Sequence, residues 1–142
     1  MTHFKIIIPM YNVEKWIQTT IRSVMAQTYA NYEVIIVDDI STDHSCDKVK
    51  ELIGVDSRFQ LVENKKKRFA LENIVRGIKM LSPSESDVIV TLDGDDWFPH
   101  ANVLSRIADA YETTNCLITY GTYMTYPEGK RPWNVTQYPA EV

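Results

Sequence analysis

Positions 90–99 read VTLDGDDWFP, and three carboxylates, Asp93, Asp95 and Asp96, fall within four residues directly after the apolar run 88–92. Close-packed carboxylates repel one another and hold water strongly, so the cluster calls for a positive charge among them. Mg²⁺ and Mn²⁺ prefer hard oxygen ligands, typically one or two carboxylates plus phosphate oxygens. Gly94 between Asp93 and Asp95 allows a tight turn that aims both carboxylates at one point. Three other polar groups invite the same question. They are Pro9-Met10-Tyr11-Asn12, the pair Asp38-Asp39, and the basic run Asn64-Lys65-Lys66-Lys67-Arg68. A carboxylate such as Asp39 can accept a hydrogen bond from a base edge, and Tyr11 can stack on the base. Together an aromatic ring, a carboxylate pair, a basic cluster and an acidic turn suit a base, a ribose, a diphosphate and a divalent cation.

The elements around these groups explain how they could meet. Residues 4–8 form a short apolar, β-branched run ending at Pro9, which predicts a buried strand. Asn12 can cap the helix that follows, in which Val13, Trp16, Ile17, Ile21, Val24 and Met25 recur at helical spacing. Residues 32–37 are apolar without alternation, as in a parallel strand covered on both faces. The polar stretch 38–43 then opens a helix carrying Val49, Leu52 and Ile53. A third strand is expected over 59–62, and a third helix through Phe69, Leu71, Ile74, Val75 and Ile78. The fourth strand is 88–92, and the fourth helix carries Val103, Leu104, Ile107, Ala108 and Tyr111. A fifth strand is expected over 117–120. Strict alternation of strand and helix implies an α/β fold, an open, mostly parallel sheet with helices on both faces. In such a sheet ligands lie beyond the carboxyl ends of the strands, and every polar group named above follows a strand. From Gly121 onward the chain is aromatic and irregular, with a turn expected at Glu128-Gly129.

The chain has 142 residues, enough for one domain over 1–142 with a sizeable core. A net charge of −4 argues against a general nucleic-acid surface. No apolar run approaches the length of a membrane span, and the first residues do not read as a signal peptide, so a cytoplasmic protein is expected. Cys46 and Cys116 lack metal-ligand spacing and are read as reduced thiols.

Two segments carry a resemblance to a known family. They are IIIPMYNVEKWIQTTIRSVMAQTYANYEVIIVDDISTD at 6–43 and DVIVTLDGDDWF at 87–98. Pro-x-Tyr-Asn, Gln-Thr, Val-Asp-Asp-x-Ser-Thr-Asp and Leu-Asp-Gly-Asp-Asp-Trp, in that order, resemble the family 2 glycosyltransferases over about residues 4–125. These are inverting enzymes of the GT-A (Rossmann-like) fold that use nucleotide-sugar donors. The resemblance implies a donor, most simply a UDP-sugar, and Mn²⁺ or Mg²⁺. It implies nucleotide-binding roles for Pro9, Tyr11, Asp39, Arg68 and Asp93. Asp39 would take the base with Tyr11 packed near it, and Arg68 the diphosphate or base. Asp95 would be the chief metal ligand, with Asp93 contacting the ribose or sharing the metal. The acceptor, a glycan, lipid or other molecule, is not specified.

Two departures stand out. The loop after the third strand often carries a Gly in this family, and here it is Asn64 to Arg68 without one. Family members also usually continue into a segment that shapes the acceptor site and supplies a catalytic base. Beyond Tyr120 only Glu128 and Glu141 are acidic, and neither stands in a matching motif, so no base is assigned. The expectation is a donor-binding part lacking its acceptor-side segment, with self-association through the aromatic tail. The alternative function is a nucleotide- and metal-binding module without transfer.

Structural readings compete at several positions. Asp38 either braces the strand end or joins the site, and Asp96 either caps the following helix or joins it. Trp97 is either core or sugar-pocket lining. Lys65 to Lys67 read as a solvated face, His100 as a surface residue and Trp16 as core. A haloacid-dehalogenase phosphohydrolase would place Asp-x-Asp after its first strand. A response-regulator receiver would place the acidic pair there and a Lys after its fifth strand. An EF-hand needs ligand spacing that Asp93-Gly94-Asp95 does not continue. None of the three fits.

Overall fold

The structure is a computed structural model in which residues 1–114 and 116–130 are described. The elements run β1 (His3–Met10), α1 (Ile17–Met25), β2 (Tyr32–Asp38), α2 (Ser45–Ile53), β3 (Phe59–Glu63), α3 (Phe69–Leu81), β4 (Asp87–Thr91) and α4 (Val103–Thr113). Four strands form one all-parallel sheet in the order β3-β2-β1-β4. The α/β architecture with helices on both faces is as expected.

Side-chain alternation along β1 and β2 divides the core. Phe4, Ile6, Ile8 and Met10 face the side covered by Ile17, Ile21 and Val24 of α1, Val49 of α2, and Leu104 and Ala108 of α4. Ile7, Ile35 and Val37 face the other side, where Ile74, Ile78 and Leu81 of α3 pack. Both central strands are therefore buried on two faces, which accounts for their unbroken apolar runs. Gly77 lets α3 approach closely. A Cβ there would stand 2.7 Å from Ile7 Cγ2 and 3.1 Å from Ile35 Cγ2.

Four expectations change. The run 117–120 joins no strand of the sheet. Leu117 and Ile118 are 96% and 81% exposed, so the burial that favours an extended apolar run is missing. Asn12 does not cap α1. It has φ 51°, and its side-chain oxygen accepts the Thr42 N–H at 2.8 Å instead. Phe69, Leu71 and Val75 lie outside the packed stripe of α3 and are exposed. Trp16 is half-buried rather than core, stacked on Trp97 at 6.0 Å between ring centroids.

The expected turn at Glu128-Gly129 is present, closed by Gly129 N–H to Thr125 O at 2.8 Å and Thr125 N–H to Lys130 O at 2.9 Å. Tyr126 packs edge-on against Trp97 and Trp16. Pro132, Trp133, Tyr138, Pro139 and Glu141 lie outside the described residues. Cys46 and Cys116 are free thiols, and burial, followed by the nearby Asp38 carboxylate, pushes the Cys46 thiol up to about 12. Among the described residues no helix is long and apolar enough to cross a membrane.

Candidate functional site

Parallel pairing sets the carboxyl ends of three strands level: Met10 lies opposite Asp38, and Asp38 opposite Glu63. The β4 ladder stops at Thr91, but the chain keeps following β1, with Leu92 N–H to Ile7 O at 3.1 Å and Gly94 N–H to Pro9 O at 3.2 Å. This brings the acidic turn back against Pro9. Gly94 is needed for close approach rather than for unusual dihedrals, since a Cβ would meet Met10 Cβ at 2.9 Å. The Gly94 carbonyl also accepts the buried Thr20 hydroxyl at 2.9 Å, and Asp96 N–H closes the turn onto Asp93 O at 3.0 Å.

A cavity of about 220 Å³ opens at this edge, lined by Pro9, Tyr11, Asp39, Asn73, Asp93 and Asp95 among others. Five of the six residues nominated from the sequence therefore border one space. The sixth, Arg68, does not line it: its guanidinium pairs with Glu72 one helical turn on, and its buried Nε has no partner. A larger shallow hollow of about 480 Å³, bounded by Met1 and residues 28–31, lies by the amino ends of β1 and β2 and carries no acidic or basic side chain.

Asp39 is 3% exposed and fully engaged. Its Oδ1 accepts Arg68 N–H at 2.8 Å and Asn64 Nδ2 at 3.1 Å, and its Oδ2 accepts Phe69 N–H at 2.9 Å. Lys67 Nζ stands 3.5 Å from Oδ2 and also donates to the Asp39 carbonyl at 3.3 Å. Burial raises the Asp39 carboxyl, but the Arg68 and Phe69 amides and the Asn64 and Asn73 side chains outweigh it and bring it to about 2. Asn64 is held in turn. It donates to Asn73 Oδ1 at 2.7 Å and accepts from Arg76.

Side chains also join the loops after β1 and β2. Ser41 Oγ accepts Asn12 N–H at 2.9 Å, Ser45 Oγ accepts Val13 N–H at 2.9 Å, and Asp43 accepts Glu14 N–H at 3.0 Å. The Asp38 carboxylate accepts the Ser41 N–H, so it braces the strand end. Three residues with positive φ, Asn12 (51°), Ile40 (66°) and Phe69 (64°), adjoin Tyr11 and Asp39. Such backbone is uncommon, most of all for a β-branched residue, and collects where a site fixes the chain.

Asp93, Asp95 and Asp96 are exposed and form no ion pair among the described residues. Partial burial and then the Asp95 and Asp93 carboxylates push the Asp96 carboxyl above its ordinary range. Asp96 does not cap α4, whose N-cap residue is Asn102 and whose Leu104 N–H donates to Gln27 Oε1 at 3.0 Å. No group of three or more His, Cys, Asp or Glu converges on a metal-sized point among the described residues. Two hard-oxygen side chains with no basic partner nonetheless fit a cation that also draws ligands from a bound phosphate.

Sequence reading named Asn64 and Lys67 only within the basic run and Ser41 and Asp43 only within a motif, and it missed Asn73. Lys67 is not a free surface charge, since its ammonium lies 2.7 Å from the Tyr11 ring centroid. Ser-Thr-Asp before a helix carries a capping signal that could have pointed to Asp43, which accepts the Ser45 N–H at 3.0 Å. Nothing in periodicity marks Asn73 beyond its being a polar residue, 1% exposed, on the packed face of α3.

The fold matches that of TarS from S. aureus, solved in complex with UDP-GlcNAc, with TM-score 0.68 and 23% identity over 80% of this chain and 32% of that one. It also matches the mannosyltransferase PcManGT from Pyrobaculum calidifontis, solved with GDP-Man and Mn²⁺, with TM-score 0.66 and 22% identity over 75% of this chain and 31% of that one. The architecture is GT-A. In sequence the chain is 37% identical over 119 residues to WfgD of Escherichia coli, named as a UDP-Glc:alpha-D-GlcNAc-diphosphoundecaprenol beta-1,3-glucosyltransferase. That match covers 83% of this chain and 44% of WfgD. The chain spans less than half the length of the curated relatives it matches. The family model described as "Glycosyl transferase family 2" matches residues 5–140, and the chain belongs to that family.

Proposed function

We propose that this chain forms the donor-binding part of a metal-assisted, inverting glycosyltransferase that takes a nucleotide-sugar, with UDP as its nucleotide. The observation that carries the reading is that Pro9, Tyr11, Asp39, Asp93 and Asp95 border one cavity. Tyr11, 48% exposed at the rim, offers a ring face to the base, and Asp39 accepts a base N–H. Pro9 forms the wall, and Asp93 takes the ribose or shares the metal with Asp95. A bound Mn²⁺ or Mg²⁺ would offset charge developing on the leaving diphosphate. WfgD by its name uses UDP-Glc, and the TarS and PcManGT complexes hold a UDP-sugar and a GDP-sugar with Mn²⁺, which supports this reading. The test is a thermal-shift panel of UDP-, GDP- and dTDP-sugars with and without Mn²⁺, since a ligand that binds the native state raises apparent stability. A Mn²⁺-dependent rise with UDP-sugars is expected, and no rise with any donor would refute it.

Nucleotide and metal binding without transfer is a second reading, favoured by one observation. Inverting transfer needs a base within reach of the acceptor hydroxyl. Glu128, the one acidic residue past α4 among the described residues, is exposed on a turn and does not border the cavity. A multiple-turnover assay with candidate acceptors separates the two, and a sedimentation series in concentration tests self-association through exposed Leu117, Ile118, Tyr123 and Met124.

A further inference from the structure

Two features of the cavity that a base would use are taken by one side chain. The Lys67 ammonium lies over the Tyr11 ring, 2.7 Å from its centroid, and stands 3.5 Å from Asp39 Oδ2. A carboxylate offers about four acceptor positions. Those on Asp39 are held by the Arg68 and Phe69 backbone amides and by the buried Asn64 side chain, with the buried Asn73 side chain also close enough to lower the carboxyl. None of these can leave without unfolding the start of α3 or uncovering a buried amide. Lys67 is different. It sits on the turn between β3 and α3, its side chain is 35% exposed, and its ammonium is carried on a flexible four-carbon stem. It is the exchangeable partner of Asp39.

We propose that Lys67 is a placeholder cation with two positions: it occupies the base subsite when that is empty and moves to the diphosphate when a base enters. The inference rests on the donor-binding reading above. A base that stacks on Tyr11 and donates an N–H to Asp39 replaces both contacts of the ammonium at once. The base N–H stands in for the ammonium at Asp39, so the buried carboxylate is not left short. The displaced ammonium is then a free cation beside a ligand carrying two phosphates. Arg68 does not compete for this role, because its guanidinium is paired with Glu72 and lies off the cavity. Lys67 thereby penalises a bare nucleoside, which displaces it and returns nothing, and favours a nucleoside diphosphate, which gives it a new partner. The side chain selects for the diphosphate without reading the base.

The placeholder role predicts effects of opposite sign. Uridine and UDP with Mn²⁺ are titrated by NMR and calorimetry into the parent chain, Lys67→Met and the neighbouring control Lys66→Met. In Lys67→Met, uridine should bind about threefold tighter, because a partly exposed ion pair and cation–π contact no longer compete. UDP should bind about tenfold weaker, because a charged hydrogen bond to phosphate is lost. Lys66→Met should leave uridine unchanged, since Lys66 makes no contact with Tyr11 or Asp39 among the described residues. If Lys67→Met weakens both ligands, strengthens both, or changes neither, the placeholder role is wrong while the donor-binding reading stands. The same holds if uridine binds neither chain although UDP binds the parent. If the parent binds no UDP in the presence of Mn²⁺, both fall together.

Discussion

Asp39 Oδ1 accepts the backbone N–H of Arg68 at 2.8 Å, so the first residue after β2 caps the start of α3. Phe69 N–H donates to the other oxygen at 2.9 Å. The first turn of a helix has backbone donors with no partner inside the helix, and here a carboxylate from the neighbouring strand loop satisfies two of them. The residue nominated for base recognition is thus also a joint of the fold. Asn64 is fixed at the same joint, through Asn73 on one side and Arg76 on the other.

Asp39→Ala is therefore expected to cost stability as well as nucleotide affinity. Losing the cap and leaving the buried Asn64 amide short should lower unfolding free energy by about 1–3 kcal/mol. UDP affinity should fall by a similar amount. Urea unfolding of the ligand-free chain checks the first part and calorimetry the second. Unchanged ligand-free stability would mean that the cap contributes nothing measurable.

Acid should reproduce part of that loss. The Asp39 carboxyl is held at about 2 against an ordinary value of 3.8, so its folded-state pKa is depressed. Its stabilising contribution is then fully present above about pH 4 and is lost as the pH falls through about 2. The contribution is about 2 kcal/mol for a group this buried. Unfolding free energies of the parent and Asp39→Ala should differ at pH 6 and converge toward pH 2. A gap that stays constant across that range would contradict the assignment.

Asp95 is predicted to behave in the opposite manner. It is exposed and forms no ion pair among the described residues, so Asp95→Asn should leave the unfolding midpoint within about 0.5 kcal/mol of the parent. It should remove most of the Mn²⁺-dependent part of UDP binding, because a neutral amide replaces an anionic ligand. Mn²⁺ titrations at fixed UDP decide the matter. Undiminished metal dependence in Asp95→Asn would move the cation to other ligands.

What the sequence made legible follows from what each signal measures. Buried parallel strands announce themselves by unbroken apolar runs, and 32–37 and 4–8 both lie within β2 and β1. Strand ends then fix where loops gather, and within those loops the family resemblance pointed to Pro9, Tyr11, Asp39, Asp93 and Asp95, which border one cavity. The run 117–120 has the same apolar look, but an apolar run becomes a strand only with a neighbour to pair with, and periodicity carries no information on neighbours. Arg68 and Lys67 show a related limit. Both are cations on one turn, and only the position of Glu72 one helical turn away draws Arg68 aside and leaves Lys67 facing Tyr11. Asn12 fits a cap by type, yet a cross-loop partner, the Thr42 N–H, claims its side chain.

Gly94 supplies the sharpest test of how the acidic turn is positioned. Its role is close approach: a Cβ would lie 2.9 Å from Met10 Cβ, 3.2 Å from Pro9 O and 3.3 Å from Val13 Cγ2. None of these is the far end of a flexible side chain, so the turn itself has to move away from β1. Gly94→Ala should destabilise the fold by about 1–3 kcal/mol through overpacking. The shift would also strain the hydrogen bonds from Gly94 N–H to Pro9 O and from Thr20 to Gly94 O, and would carry Asp93 and Asp95 with it. Mn²⁺-dependent UDP binding should therefore weaken in Gly94→Ala although both carboxylates remain. Metal-independent binding of uridine, which depends on Tyr11 and Asp39 rather than on the carboxylates of the turn, should weaken less than Mn²⁺-dependent UDP binding. A variant that keeps full metal-dependent affinity would show that the turn can be displaced from β1 without consequence, and that the contact with Pro9 does not position the carboxylates.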